Sequence, residues 1–309
     1  MMSAATEEES KDTTMMLCAS CGTAGGGDIK LKRCTSCHLA RYCSIKCQKD
    51  HWPKHKKACK KRAAELRDEI LFKQPESSHY GDCPICCLPL LIVPSQSTSY
   101  SCCSKFICKG CEYANRVRKT EGRLEHKCPF CRKVVPSTYE QINEQRMKRI
   151  EANDPHALCF VGTKRCEEGD YKSAFEYWTR AADLGNVDAH YQLSVLYRNG
   201  YGVEKDEKKQ LHHLTEAAIA GHPAARYNLG CYEQINGRMD RAVKHYIIAA
   251  KLGHAGSLNA LKKLCKAGLV NKEDFAAALR GHKAAIDATK SPQREAAEAA
   301  EMNAEIIRF

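Results

Sequence analysis

Sixteen of the chain's twenty cysteines lie between Cys18 and Cys131, in a sequence of 309 residues. Most of them form pairs separated by two or three residues, a spacing at which both sulfurs of one turn can reach the same metal ion. In a reducing compartment such pairs favour metal over disulfides. A cysteine-rich segment this small buries too little apolar surface to fold alone, so we expect each bound zinc to contribute on the order of 10 kcal/mol.

The first cysteine cluster occupies 42 residues and offers eight candidate ligands: Cys18, Cys21, Cys34, Cys37, Cys43, Cys47, His55 and Cys59. Seven thiols and one imidazole are enough for two tetrahedral zinc sites. His55 and Cys59 are four residues apart, so they share one face if residues 44–60 are helical. The sequence therefore predicts two zinc ions in this segment.

The segment RYCSIKCQKDHWPKHKKAC, from Arg41 to Cys59, resembles the second half of a MYND-type zinc finger, including Tyr42, Gln48 and Trp52. MYND fingers commonly bind short proline-containing peptides, so the resemblance implies a peptide partner. Ligands interleave in that family. The implied zinc sites are Cys18, Cys21, Cys43 and Cys47 for one ion, and Cys34, Cys37, His55 and Cys59 for the other.

A second cluster contains eight further candidate ligands: Cys83, Cys86, Cys102, Cys103, Cys108, Cys111, Cys128 and Cys131. Its motifs CPIC and CPFCR resemble the outer ligand pairs of a RING-type zinc finger. Lys105 stands where that family places a histidine, and lysine must lose a proton before it can bind zinc. One implied site is Cys83, Cys86, Cys108 and Cys111. The other has Cys103, Cys128 and Cys131 and needs a fourth ligand, for which Cys102 is the nearest candidate and His126 and Cys87 are alternatives.

RING fingers recruit a ubiquitin-conjugating enzyme and stimulate transfer of ubiquitin to a substrate. The resemblance implies that Ile85 and Pro129 are apolar contacts to that enzyme and that Arg132 bridges the enzyme and its ubiquitin. Such a protein acts by positioning and needs no catalytic nucleophile of its own. The alternative is structural, with Ile85 and Pro129 shaping the metal-binding turns and Arg132 solvated.

From residue 153 onward the sequence becomes rich in alanine, leucine and tyrosine, with a recurring Ala-Ala-x-x-Gly motif. The glycines of this motif, Gly185, Gly221 and Gly253, are expected at helix ends that need a left-handed residue. These units, over residues 154–265, resemble Sel-like repeats of the tetratricopeptide-related class. The resemblance implies a solenoid of helix pairs that binds other proteins.

The predicted fold class is therefore two small zinc-stabilised α+β modules, a MYND finger and a RING-like finger, followed by an all-α helical-repeat solenoid. The expected boundaries are a disordered N-terminus (1–16), the MYND finger (17–60), a linker (61–80), the RING-like finger (81–135), a helical linker (136–153), the repeats (154–285) and a helical tail (286–309). We expect four zinc ions per chain, or three if the site beside Lys105 stays empty.

The formal net charge of +12 overstates how basic the protein is. Zinc-bound cysteine is thiolate, and four filled sites would remove roughly 5 to 8 positive charges. This weakens nucleic acid as a partner, and no segment is long and apolar enough to span a membrane. Lacking a secretory signal, the chain is expected in the cytoplasm or nucleus.

Three functions remain open from the sequence, and each has protein partners. The first is a RING-type ubiquitin ligase that selects its substrate through the MYND finger and the repeats. The second is a non-enzymatic adaptor or scaffold whose RING-like fold is inactive. The third is a transcription-associated regulator. MYND fingers also occur in lysine methyltransferases, but no other part of this sequence resembles that catalytic domain.

Overall fold

The computed structural model describes residues 16–26, 28–93 and 96–306, which contain twelve helices and four short strands. The chain divides into two compact units, Met1–Leu71 and Phe72–Phe309. The disorder predicted for residues 1–16 falls almost wholly outside the described residues. So do residues 307–309 of the predicted tail.

The first unit is built around its cysteines. Strand β1 (Lys32–Arg33) pairs antiparallel with β2 (Arg41–Tyr42), and helix α1 (Ile45–Leu71) follows. Its core consists of buried cysteines and one tyrosine, so little apolar surface is available to stabilise it without metal. Helix α1 buries only His55 and Cys59. The lysines around these two residues are exposed, so the basic run of residues 54–62 is a solvated face.

Helix α1 continues beyond Cys59 through the first half of the linker expected over residues 61–80, and it ends at Leu71. Residues 61–71 contain no proline or glycine, and Arg62 forms ion pairs with Glu65 and Glu69. Good helix formers and these surface pairs extend the helix by about three turns.

The second unit begins with a small α+β module. Strand β3 (Ser97–Ser99) pairs antiparallel with β4 (Phe106–Cys108), and helix α2 (Lys109–Gly122) follows directly. Ile107 is fully buried at the centre of this module, among Leu90, Tyr100 and the cysteines.

The remaining helices form the repeat region and its flanks. Their bounds are α3 (Tyr139–Glu151), α4 (Pro155–Glu167), α5 (Tyr171–Asp183), α6 (Val187–Asn199), α7 (Glu207–Ile219), α8 (Pro223–Ile235), α9 (Met239–Lys251), α10 (Ala255–Lys266), α11 (Lys272–Asp287) and α12 (Pro292–Ile306). Consecutive helices from α4 to α10 pack on one another, and α12 packs against α2. No helix among the described residues has the length and apolar character needed to cross a membrane.

The repeat motif has a clear local cause. Gly185, Gly221 and Gly253 all have φ between 83° and 90°, which only glycine adopts without strain. The next residue in each case caps the following helix, and its side chain accepts a backbone N–H bond: Asn186 for α6, His222 for α8 and His254 for α10. Together these turns form one edge of the repeat region.

Candidate metal centres

The sixteen residues predicted as metal ligands lie in four groups of four. Within each group the sulfur and imidazole nitrogen atoms all lie within 4.8 Å of one another. The groups are Cys18, Cys21, Cys43 and Cys47; Cys34, Cys37, His55 and Cys59; Cys83, Cys86, Cys108 and Cys111; and Cys102, Cys103, Cys128 and Cys131.

The distances within these groups can be compared with a zinc tetrahedron. A Zn–S bond of about 2.3 Å places two tetrahedral sulfurs about 3.8 Å apart. The observed separations are 3.6 Å for Cys21–Cys43, 3.7 Å for Cys34–Cys59, 3.8 Å for Cys86–Cys108 and 3.6 Å for Cys103–Cys128. They are far longer than a disulfide bond of about 2.05 Å. All twenty cysteines are free thiols. Each group could therefore bind zinc, consistent with three to four ions per chain.

Each Cys-x2-Cys turn that starts at Cys18, Cys34, Cys83 or Cys128 closes in the same way. The residue after the second cysteine donates its N–H to the carbonyl of the first, over 2.8–3.0 Å. That residue has a positive φ in every case: Gly22, His38, Cys87 and Arg132. A left-handed residue here turns the chain so that both sulfurs point to one side. The turns that present the ligands are therefore set by the backbone.

The thiols of one group compete for ionisation. Backbone N–H groups of Cys21 and Cys43 lower the pKa of Cys18 to about 6. The side chains of Cys21 and Cys47 raise the pKa of Cys43 to about 12. Four thiolates this close repel one another unless a cation neutralises them. A divalent ion removes that conflict, which is the behaviour expected of a metal-binding group.

The structure brings Cys102 into the group for which the sequence left the fourth ligand open. The sulfur of Cys102 lies 3.3 Å from that of Cys131. Lys105 is exposed and lies outside the group, and the alternatives Cys87 and His126 also lie outside it. Adjacent cysteines can face one site because the chain turns sharply after them, where Ser104 has a φ of 55°.

The three residues predicted to contact a conjugating enzyme are all on the surface. Ile85 lies between Cys83 and Cys86 and is 45% exposed, which is high for an isoleucine. Pro129 and Arg132 are also exposed, on the turn of Cys128 and Cys131. None of the three contributes to the buried core of the module. Arg132 also closes the turn of Cys128 and Cys131, where its φ is 60°.

A fifth group, His79, Asp188 and His222, was not found from the sequence. Asp188 accepts hydrogen bonds from His79 Nε2 at 2.9 Å and Tyr80 OH at 3.4 Å, and its carboxylate lies 3.5 Å from His222 Nε2. Asp188 thus joins the segment just before the second cysteine module to the repeat region. His79 and Asp188 are 109 residues apart, so no local spacing could have revealed the contact.

The geometry of this fifth group favours hydrogen bonding over metal binding. The rings of His79 and His222 are stacked 4.5 Å apart at an angle of 13°, so their in-plane lone pairs run parallel and do not converge. His222 Nδ1 already accepts the N–H of Ala225, so its proton is on Nε2. Burial alone would raise the pKa of Asp188, but the hydrogen bonds and charge of His222 and His79 outweigh it and hold that pKa well below its usual range. The group is a polar joint built around one carboxylate.

Comparison with known families matches two parts of the chain. Residues 18–59 match the family model of the MYND finger. Residues 155–186, 187–222 and 223–254 match the Sel1 repeat. Neither model covers residues 60–154, which include the second cysteine module.

The similar proteins share only short segments with this chain. The human histone-lysine N-methyltransferase SMYD3 is 59% identical over 34 residues, which is 11% of this chain and 8% of that protein. The putative beta-lactamase HcpC of Helicobacter pylori is 41% identical over 56 residues, 18% of this chain and 19% of that protein. The chitin synthase regulator SKT5 of Saccharomyces cerevisiae is 37% identical over 68 residues, 22% of this chain and 10% of that protein. The chain thus spans less than a fifth of each relative.

Among solved structures, a Sel1 repeat protein from Oxalobacter formigenes aligns with a TM-score of 0.43 and 22% identity. The alignment covers 62% of this chain and 86% of that one. The organisation of the chain follows from the family match of the first cysteine module, the three repeat matches and the four ligand groups. It has a MYND finger, further cysteine clusters that could bind zinc and a Sel1 repeat solenoid, and this combination fits a protein-interaction protein.

Proposed function

We propose that the second cysteine module, residues 83–131, is a RING-type finger that recruits a ubiquitin-conjugating enzyme to proteins held elsewhere on the chain. The observation that carries the proposal is the order of its ligands. Along the sequence, pairs of cysteines alternate between the two groups, so that each group closes a loop containing a pair of the other. This cross-braced order is the arrangement that the RING resemblance implies.

The surface of the module supports the same proposal. Ile85 and Pro129 lie on the first and last metal-binding turns, and both are exposed, whereas Leu90, Tyr100 and Ile107 of the same module are buried. Exposed apolar residues held on rigid, metal-fixed turns suit a protein contact. Arg132 adds a positive charge directly beside Pro129. No side chain has to react, because the transferred ubiquitin is carried by the partner enzyme.

We assign substrate selection to the MYND finger and the repeats. Trp52 of the MYND finger is 41% exposed, and an exposed indole on a rigid helix suits contact with a proline-containing peptide. The chain has only two tryptophans, and Trp178 is buried. Titration with a proline-rich peptide should therefore change the fluorescence of Trp52. A Trp52→Phe variant should lose that response and retain the signal of Trp178.

The activity is tested with the purified full chain, ubiquitin, activating enzyme and a panel of conjugating enzymes. We expect self-modification with at least one of them, reduced about tenfold or more by Ile85→Ala. The matched control is Leu124→Ala, which truncates another exposed apolar residue of the same module. Zinc content must be equal in all three proteins, so that a loss of activity reports the contact and not the fold.

Absence of ubiquitin transfer with every conjugating enzyme, in protein that carries four zinc ions, would refute the proposal. The chain would then be a non-enzymatic adaptor, which the lysine at position 105 favours. Equal activity in wild type and Ile85→Ala would also count against the RING-type contact. In that case any observed transfer would have to use a different surface.

A further inference from the structure

Helix α12 contacts the second cysteine module through one buried arginine. Arg294 lies in the first turn of α12 and is 6% exposed. Its Nη1 donates to the carbonyl oxygens of Thr289 at 2.7 Å and Pro89 at 2.8 Å. Its Nη2 donates to the carbonyl of Leu88 at 3.3 Å and lies 3.6 Å from the sulfur of Cys86.

Other contacts also hold helix α12 close to α2. A Cβ atom at Gly110 would lie 2.7 Å from the backbone nitrogen of Arg294 and 2.9 Å from its Cα, so only glycine allows this approach. Lys109 Nζ lies 2.6 and 2.8 Å from the two carboxylate oxygens of Glu301. These contacts place α12 on the helix that carries Cys111.

The charges explain why an arginine is buried there. A zinc ion held by four thiolates carries a net charge of −2, and this charge needs partners when it is shielded from water. Arg294 supplies one positive charge against the group of Cys83, Cys86, Cys108 and Cys111. Loss of the ion removes this fixed anionic cluster, and the buried guanidinium then loses the compensating charge.

We propose that Arg294 stabilises this zinc site by its contacts beside the ligand Cys86, and that packing of α12 on α2 depends on the bound zinc. Helix α12 packs on α2 while zinc is bound at this site. When the zinc is lost, α12 separates from α2 and exposes the face of α2 around Gly110. The inference rests on zinc loading of these four cysteines, and it is independent of ubiquitin transfer. Arg294 is a positioning residue, since it holds the ligands and does not itself bind the ion.

The first test is the rate of zinc release from the full chain to a chromogenic chelator. Replacing a residue that hydrogen-bonds to a metal ligand typically weakens metal binding 10- to 100-fold. We therefore expect Arg294→Ala to release one of the four ions about tenfold faster, with the other three unchanged as internal references. Arg280→Ala, an exposed arginine of α11, is the matched control and should behave as wild type.

The second test is amide hydrogen exchange of residues 292–302. Chelation should remove their protection in the wild-type chain, and Arg294→Ala should show reduced protection with all zinc bound. Gly110→Ala, whose new methyl would collide with the backbone of Arg294 while leaving every ligand side chain unchanged, should do the same. Protection of α12 that survives chelation, or zinc release from Arg294→Ala at the wild-type rate, would overturn the proposal. A zinc content of one ion or none would reject the ligand assignment and this proposal with it.

Discussion

A buried histidine in α9 should make the repeat region sensitive to acid. His245 is fully buried, its ring packs 4.8 Å from that of Phe72, and neither ring nitrogen has a hydrogen-bond partner among the described residues. Burial, with smaller contributions from Arg226 and Arg241, lowers the pKa of His245 from 6.5 to about 3. The folded protein thus resists protonation at a position where the unfolded chain accepts it.

The size of the effect follows from linkage. Because the folded pKa is lower than the unfolded one, the stability due to neutral His245 is complete above pH 6.5 and is lost as the pH falls toward the folded value. The loss is about 1.4 kcal/mol per pH unit, so lowering the pH to 4.5 removes about 2.5–3 kcal/mol. This is a large share of a total stability of roughly 5–15 kcal/mol.

The assay is urea unfolding followed by the helical circular dichroism signal at pH 7 and pH 4.5. Replacing His245 by leucine, which has a similar volume and no titrating group, should reduce the difference between the two pH values by about 2.5 kcal/mol. His212→Gln, at an exposed histidine, is the matched control. If His245→Leu loses as much stability in acid as the wild type does, the buried ring is not the source of the sensitivity.

Three further results are expected. Chelation should abolish amide protection in residues 18–59 while most of the helical signal of the repeats persists, and protection unchanged by chelator would contradict a metal-stabilised core. Gly230→Ala should lower the free energy of unfolding by about 1–2 kcal/mol, because the new methyl would lie 2.5 Å from the buried ring of Tyr246. This loss should outweigh the better helix propensity of alanine, and a rise in the unfolding midpoint would refute the prediction. Asp188→Ala should cost about 2–3 kcal/mol and increase hydrogen exchange in residues 76–80, since it leaves donors of the polar joint without an acceptor.

The ligand groups were accessible from the sequence because metal binding imposes short, regular spacings. His55 and Cys59 share a face of α1 because they are four residues apart, and each Cys-x2-Cys pair needs only one tight turn. The repeat turns were equally accessible, since Gly253 and its equivalents occupy a backbone conformation that few other residues tolerate. Where the interacting residues are close in the chain, their spacing was sufficient to predict that they lie together.

Contacts between distant parts of the chain were not accessible in this way. The choice of Cys102 over His126 depends on how the turn around Ser104 folds, and both residues lie at plausible spacings. Arg294 reads as one more charged residue in a polar helix, and its partner Cys86 lies 208 residues away. Asp188 likewise reads as an ordinary residue of a first helical turn. Such roles arise only when separately folded elements meet.

The alternating order of the ligand pairs has a consequence for assembly of the two cysteine modules. A first ion bound to Cys18, Cys21, Cys43 and Cys47 pins the ends of the intervening chain, which carries Cys34 and Cys37. Binding of the first ion therefore already restricts the chain that carries the other ligands, so the second ion loses less loop-closure entropy when it binds. The second ion should bind more tightly than the first. Each cysteine module should therefore bind its two ions over a narrow range of free zinc, with singly loaded molecules rare.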